Sequence, residues 1–331
     1  MKSGLDWGKL AAFGGVWVRK HFSTASPSVS ISNGVANMKL ARYIYKSQES
    51  YGVLQGQSLF SLPALATVLH ATLPATLEEF VALGRIAQVT VESLLAIADE
   101  DMLKTVSVPL SQVQLLAPLK SPPKILCLGW NYVDHTVETK TQPPTEPVVF
   151  MKPHTAIANP NQNIVKRPFV TELDYEGELA VVIGKTAKDV STTEAMNYVF
   201  GYTIFNDVSA RDFQFKDKQW TRGKGFDTFA PIGPCIVTRD QIRDVDNLGI
   251  KTWVNGELRQ DGNTRDMLFN IPQIIYHLSR VMTLEPCDII ATGTPSGVGM
   301  AMKPQKWLKH GDNVRIEVDG IGILENNVEE R

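Results

Sequence analysis

Glu176 and Glu178 stand two residues apart in LDYEGELAVVIG, and Asp207 closes a second apolar run in GYTIFNDVSARD. Residues i and i+2 of a β-strand point to one face, so a strand here projects both glutamates side by side, with Asp174 on that face at its start. The β-branched run over 180–183 supports a strand, and Gly184 ends it. Carboxylates crowded on a partly buried face repel, and each is pushed towards protonation unless a cation compensates. Asp207 ends a strand-like run over 202–207, where a side chain reaches a cleft at the sheet's end. The trio therefore reads as three oxygen ligands for one divalent cation. Taken alone, LDYEGEL reads first as an antiparallel strand with its acidic side in water, and it is the company of Asp207 that turns the reading to a cation site. Carboxylate oxygens without thiolate or imidazole suit Mg²⁺ or Mn²⁺; Ca²⁺ fits less well because no EF-hand loop is present, and zinc is disfavoured.

A second pair follows Trp130 in NYVDHTVETK, where His135 and Glu138 are three apart and share a face if the segment is helical. Such a pair serves as a base with its orienting carboxylate, although an exposed ion pair on a short helix has the same spacing. Cys127, Cys235 and Cys287 are scattered among apolar residues or at a turn and match no metal-ligand spacing. They read as small buried hydrophobes in a reducing compartment. His154, His277 and His310 fall outside these patterns and read as surface or satisfied core histidines. Arg211 and Asp212 read as an ion pair that supports the loop after Asp207.

These side chains need a large scaffold, and 331 residues with 43% hydrophobic and 21% charged composition supply one. A formal charge of −2 gives no electrostatic footprint for nucleic acid, and no apolar run approaches the roughly 20 residues of a membrane span. Residues 1–37 carry Lys2, Lys9, Arg19 and Lys20 against Asp6 and run into a Ser-rich STASPSVSIS, which fits a mitochondrial-type transit peptide. A secretory signal or a non-native extension is the competing reading, with a cytoplasmic protein as the alternative address. Unpaired cysteines argue against secretion.

Residues 38–119 mix short strand-like pieces with two helical patterns, the first opened by Thr76 and Glu79 as a capping box. Phe80, Leu83 and Ala87, then Leu94, Leu95, Ile97 and Ala98, form their core-facing sets. The closely spaced prolines of APLKSPPK mark a linker, which makes 38–119 a small N-terminal domain and 120–331 the domain with the chemistry. Strand signals dominate beyond it, at 124–128, 147–151, 179–183, 202–207, 234–238, 251–254, 288–291 and 313–318. Two helices interrupt them, one opened by Ser191 with Glu194 and one over 272–282. The expected fold class is mainly β with α, an α+β arrangement in which a rolled β domain opens its strand ends into one pocket. The glycine-rich TGTPSGVG lacks both the dinucleotide spacing and the lysine of a P-loop.

GxNYxxHxxE, the ExE strand, DVSARD, KGFDTF and TGTPxGVG occur here in the order and spacing of the fumarylacetoacetate hydrolase superfamily, which the chain resembles over residues 38–328. Its FDTFxPxGP and KPxxxLKxGD segments resemble the type 2 branch of the domain-containing proteins of that family. The resemblance implies a fumarylacetoacetate hydrolase-like rolled β domain with a small N-terminal α/β domain. It implies that Glu176, Glu178 and Asp207 bind Mg²⁺ and that His135 and Glu138 form a catalytic dyad on a mobile lid. Lys224 then lies near the metal and the substrate's enolate, Thr294 contacts the substrate carboxylate, and Gln214 adds a polar group to the pocket. A homodimer formed through the β domain is implied as well.

A 2-oxo acid chelates Mg²⁺ through its carboxylate and 2-oxo oxygens, and the cation then stabilises the enolate left when a proton departs from carbon 3. The resemblance points to enol–keto tautomerisation of oxaloacetate. The same site chemistry also serves hydrolysis of acylpyruvates or fumarylacetoacetate, and decarboxylation of oxaloacetate. A pocket protein that binds without turnover is the non-enzyme alternative, against which an intact His135 and Glu138 argue.

Overall fold

Three strands, Gly177–Ile183, Val199–Asn206 and Ala230–Thr238, are buried at every position, which is what an uninterrupted apolar run produces when both faces of a sheet are covered. The computed structural model describes residues 38–216 and 218–331, so the expected extension at 1–37 lies outside the described residues. These strands pair antiparallel in the order Ala230–Thr238, Val199–Asn206, Gly177–Ile183 and form the middle of a 12-stranded sheet. On one side the sheet continues through Ile289–Ala291, Ile125–Gly129 and Val148–Lys152. On the other it continues into the N-terminal region, because Lys39–Tyr45 pairs with Ala230–Thr238 through Lys39↔Val237 and Leu40↔Ile236. The fold is mainly β with added helices, an α+β arrangement.

A five-stranded sheet packs against the middle of the large one, and Gly177 lets the two come close. A Cβ at Gly177 would meet Thr252 Oγ1 at 2.3 Å and Ile316 Cγ2 at 3.2 Å. The helix Leu77–Leu83 lies elsewhere on the large sheet, with the Phe80 ring edge-on to Phe200 at 6.3 Å. The Ile271–Val281 helix inserts Ile274, Ile275 and Leu278 into the core and is capped by Asn270 and Gln273 in a reciprocal box.

Several local expectations are corrected. Ser191 opens no helix: its hydroxyl bonds the Glu194 carboxylate at 2.9 Å, and only a short 3-10 turn, Ala195–Tyr198, precedes the next strand. The Thr76 cap forms, with Glu79 N–H donating to Thr76 Oγ1 at 3.1 Å, but Gly84 at φ 54° then turns the chain, and the next helix, Arg85–Ile97, leaves at 108°. That bend rotates the apolar faces, so Leu83 and Ile97 are 50% and 66% exposed while Ala87 and Val91 are buried.

Candidate active site

Antiparallel pairing brings the three carboxylates together. Glu178 lies opposite Phe205, and the chain crosses back so that Asp207, next after the Val199–Asn206 strand, donates its N–H to Glu176 O at 2.9 Å. Glu176 N–H is held in turn by Asn206 Oδ1 at 3.1 Å. Gly177 turns its missing side chain to the second sheet while its two neighbours face the other way, the alternation that a strand imposes. One oxygen from each of Glu176, Glu178 and Asp207 lies within 4.8 Å of the others, and all three residues are buried.

Asp174 is not part of the trio. It sits on the separate Leu173–Asp174 strand, where Arg211 reaches it at 2.9 Å and the Gly299 and Met300 N–H groups donate to it at 2.8 and 3.1 Å. Arg211 and Asp212 do not pair with each other. Arg211 bridges Asp174 and Glu176, the latter at 2.7 Å, because its side chain points inward, whereas Asp212 accepts from Thr171 on the outside.

Lys224 comes from the short Thr221–Lys224 helix and places Nζ 2.7 Å from Glu176 Oε2 and 2.8 Å from Asp207 Oδ2. Burial pushes the Glu176 carboxyl up, but Lys224 and Arg211 outweigh it and hold the group well below the usual carboxylate range. Glu178 goes the other way: burial, then Asp207 and Glu176, push it well above that range. Its Oε2 accepts from Gly293 N–H at 2.8 Å, while its buried Oε1 has no hydrogen-bond partner. An unpaired carboxylate oxygen inside an all-oxygen donor set is what a hard divalent cation satisfies, so these residues fit such an ion. The buried acidic trio can hold a metal ion.

His135 and Glu138 lie on one short helix, Val133–Glu138, and meet through Nδ1 and Oε1 at 2.7 Å. The TGTPSGVG loop grips that helix from outside. Gly297 N–H donates to Glu138 Oε2 at 3.0 Å, and the Ser296 hydroxyl donates to Asp134 Oδ2 at 2.5 Å. Gly297 has φ 104° and its Cβ would collide with Arg259 O at 2.0 Å, so only glycine fits there. Tyr175, between Asp174 and Glu176, donates its hydroxyl to Gly297 O at 2.8 Å and ties the ligand segment to the same loop. Asn131 holds the loop's other end through Thr292 O at 2.8 Å.

A cavity of about 300 Å³ is lined by His135, Glu138, Glu176, Gln214, Lys224 and Thr294. Glu178 and Asp207 form the layer beneath, both fully buried. Thr294 donates its hydroxyl to Gly177 O at 2.9 Å and accepts from Gln260 Nε2 at 2.7 Å, and Gln214 Oε1 accepts from Arg211 at 3.0 Å. Trp130, Phe215 and Trp220 complete an aromatic wall, with Trp220 edge-on to Trp130 at 4.7 Å. Sequence reading missed Lys152, which is buried against Asp207, and the Asp134–Ser296 and Tyr175–Gly297 contacts. A usable signal existed for Lys152: like Asp207, it is a lone charge that closes an apolar run.

Residues 124–329 match the family described as fumarylacetoacetate (FAA) hydrolase, C-terminal. The chain is 44% identical over 259 residues to a Xenopus laevis protein named oxaloacetate tautomerase fahd2, mitochondrial, covering 78% of this chain and 79% of that protein. Among solved structures, a fumarylacetoacetate hydrolase from Exiguobacterium antarcticum is 37% identical with a TM-score of 0.75, over 89% of this chain and all of that one. A maleylpyruvate hydrolase from Sphingobium sp. SYK-6, in complex with manganese(II) and pyruvate, is 33% identical with a TM-score of 0.72, over 88% of this chain and 99% of that one.

Proposed function

The chain belongs to the fumarylacetoacetate hydrolase family and is an enzyme, and on that premise we propose that it interconverts the enol and keto forms of oxaloacetate with a bound Mg²⁺. The observation that carries this reading is the His135–Glu138 pair, which lines one small cavity together with Glu176 and Lys224. Glu176, Glu178 and Asp207 would hold the cation, whose charge draws electrons from the 2-oxo group and offsets the enolate. With Nδ1 engaged by Glu138, His135 has Nε2 left for the substrate. In the enol-to-keto direction the imidazolium gives its proton to carbon 3, and the proton on the enol oxygen leaves to solvent and restores the imidazolium. Glu138 stabilises the charged ring, and the Lys224 ammonium donates to the enolate oxygen. Thr294 and Gln214 orient the acid, and the aromatic wall limits water at carbon 3. About 300 Å³ suits a four-carbon acid better than a long acyl chain.

The name of the Xenopus relative supports the choice of reaction and a mitochondrial address. The manganese and pyruvate in the Sphingobium neighbour support a divalent cation beside a 2-oxo acid, and its name favours carbon–carbon hydrolysis as the second reading. The test follows enol absorbance and pyruvate release with oxaloacetate and a set of acylpyruvates, each with and without chelator. Chelator-sensitive enol loss without pyruvate selects the tautomerase; pyruvate from acylpyruvates selects the hydrolase, and pyruvate from oxaloacetate selects the decarboxylase. The reading also takes the protein as a homodimer, to be checked by light scattering.

A further inference from the structure

Lys152 ends the Val148–Lys152 strand and is 2% exposed. Its Nζ meets Asp207 Oδ1, Phe229 O, and Val208 O at 3.0 Å. Two of its contacts are hydrogen bonds to backbone carbonyls and the third is an ion pair with Asp207; burial pulls the ammonium below its ordinary value, and the Asp207 carboxylate opposes that pull and favours the cation. Lys152 does not line the cavity and cannot touch a substrate there. A strut between two carbonyls would need only a neutral amide. The ion pair with a carboxylate of the acidic trio is what requires charge.

Asp207 is thereby held from both sides, by Lys152 on Oδ1 and Lys224 on Oδ2. With all four carboxylates ionised, as a bound cation would leave them, Asp174, Glu176, Glu178 and Asp207 carry one more charge than Lys152, Arg211 and Lys224 supply. A divalent cation turns that into an excess of one positive charge. Without Lys152 the loaded cluster would be neutral, and burial leaves little solvent to screen the difference.

We propose that Lys152 is a positioning residue that sets the charge of the site: it weakens the hold on the divalent cation and leaves the loaded site positive, so that it takes an anionic 2-oxo acid. This rests on the reading of Glu176, Glu178 and Asp207 as cation ligands. A unit charge at this place acts on the cation and on the anionic ligand with opposite signs, so its removal moves the two affinities in opposite directions. General damage to the site would lower both.

The experiment titrates the metal-stripped full chain with MgCl₂ by calorimetry, and then titrates the Mg²⁺-saturated protein with oxalate, a dianion that mimics a 2-oxo acid enolate. Lys152→Met removes the charge, and Lys152→Gln removes it while keeping amide donors for the Val208 and Phe229 carbonyls. In each folded variant Mg²⁺ binding tightens by about tenfold or more and oxalate binding weakens by a similar factor. If wild type binds Mg²⁺ and the variants bind both ligands equally well, or both more weakly, the proposal is overturned. Failure of both variants to fold, with and without Mg²⁺, overturns it too by making Lys152 a strut. No Mg²⁺ binding by wild type would instead remove the cation-site reading beneath it.

Discussion

Glu178 carries a carboxyl that burial, Asp207 and Glu176 push well above its usual range, so the metal-free folded protein holds a proton there that the unfolded chain releases. Such a group contributes stability below the ordinary carboxylate range and loses it as pH rises through the raised folded value. Thermal melts of metal-free protein should therefore show that contribution shrink as pH rises above the carboxylate range. Glu178→Gln, which resembles the protonated form, should flatten this trend. The same variant should lose most of its Mg²⁺ affinity and its activity, since the orphaned Oε1 is the oxygen most in need of a cation. His135→Ala should retain the metal while kcat falls by roughly 10²–10⁴-fold, the usual contribution of a proton-transfer group. Loss of metal with His135 would contradict its role. Glu176, Glu178, His135 and Glu138 were legible because their spacing is local, two or three residues along one element. Arg211 was misread because its partners, Asp174 and Glu176, lie more than 30 residues away and are chosen by the fold.

The ExE strand works because glycine separates its acids. Gly177→Ala drives a methyl into Thr252 Oγ1, and overpacking of this kind costs about 1–3 kcal/mol, which urea denaturation would measure. Metal affinity should fall with it, since Glu176 and Glu178 ride on the same backbone. The loop after Ile289–Ala291 is the other element under test. Ser296→Ala removes the hydroxyl donor to Asp134 and leaves only the weaker backbone N–H, and kcat should drop several-fold with Mg²⁺ affinity unchanged, because the loop's grip on the dyad helix loosens while the carboxylates stay put. An unchanged kcat would show that the backbone N–H groups of residues 296 and 297 suffice without the hydroxyl. Most strands in the second half could be read from apolar runs, since burial on both faces writes itself into composition. Glu257–Asn263 and Gly322–Glu330 escaped notice because they are largely polar and owe their pairing to neighbours in the five-stranded sheet. The Ser191 pattern misled because the same side chains that cap a helix also bond each other in a turn.

Across the whole molecule, the N-terminal strands are continuous with the sheet that carries the site, and Ala41, Tyr43 and Leu59 share one core with Leu126, Leu179 and Tyr202. The boundary expected near residue 119 therefore cuts across one sheet and one core, and we expect residues 120–331 alone to lose cooperative unfolding, as circular dichroism melts would show. Composition could not reveal this, because a strand that pairs with Ala230–Thr238 looks like any other short apolar run. The most direct test of the account is electron paramagnetic resonance of Mn²⁺ titrated into metal-stripped protein. One ion per chain should lose its free-ion signal, Glu178→Gln should restore that signal, and oxalate should perturb the bound spectrum. A signal that stays free in wild type, or binding that persists unchanged in Glu178→Gln, would contradict the claim that these buried carboxylates hold the ion on which the oxo acid rests.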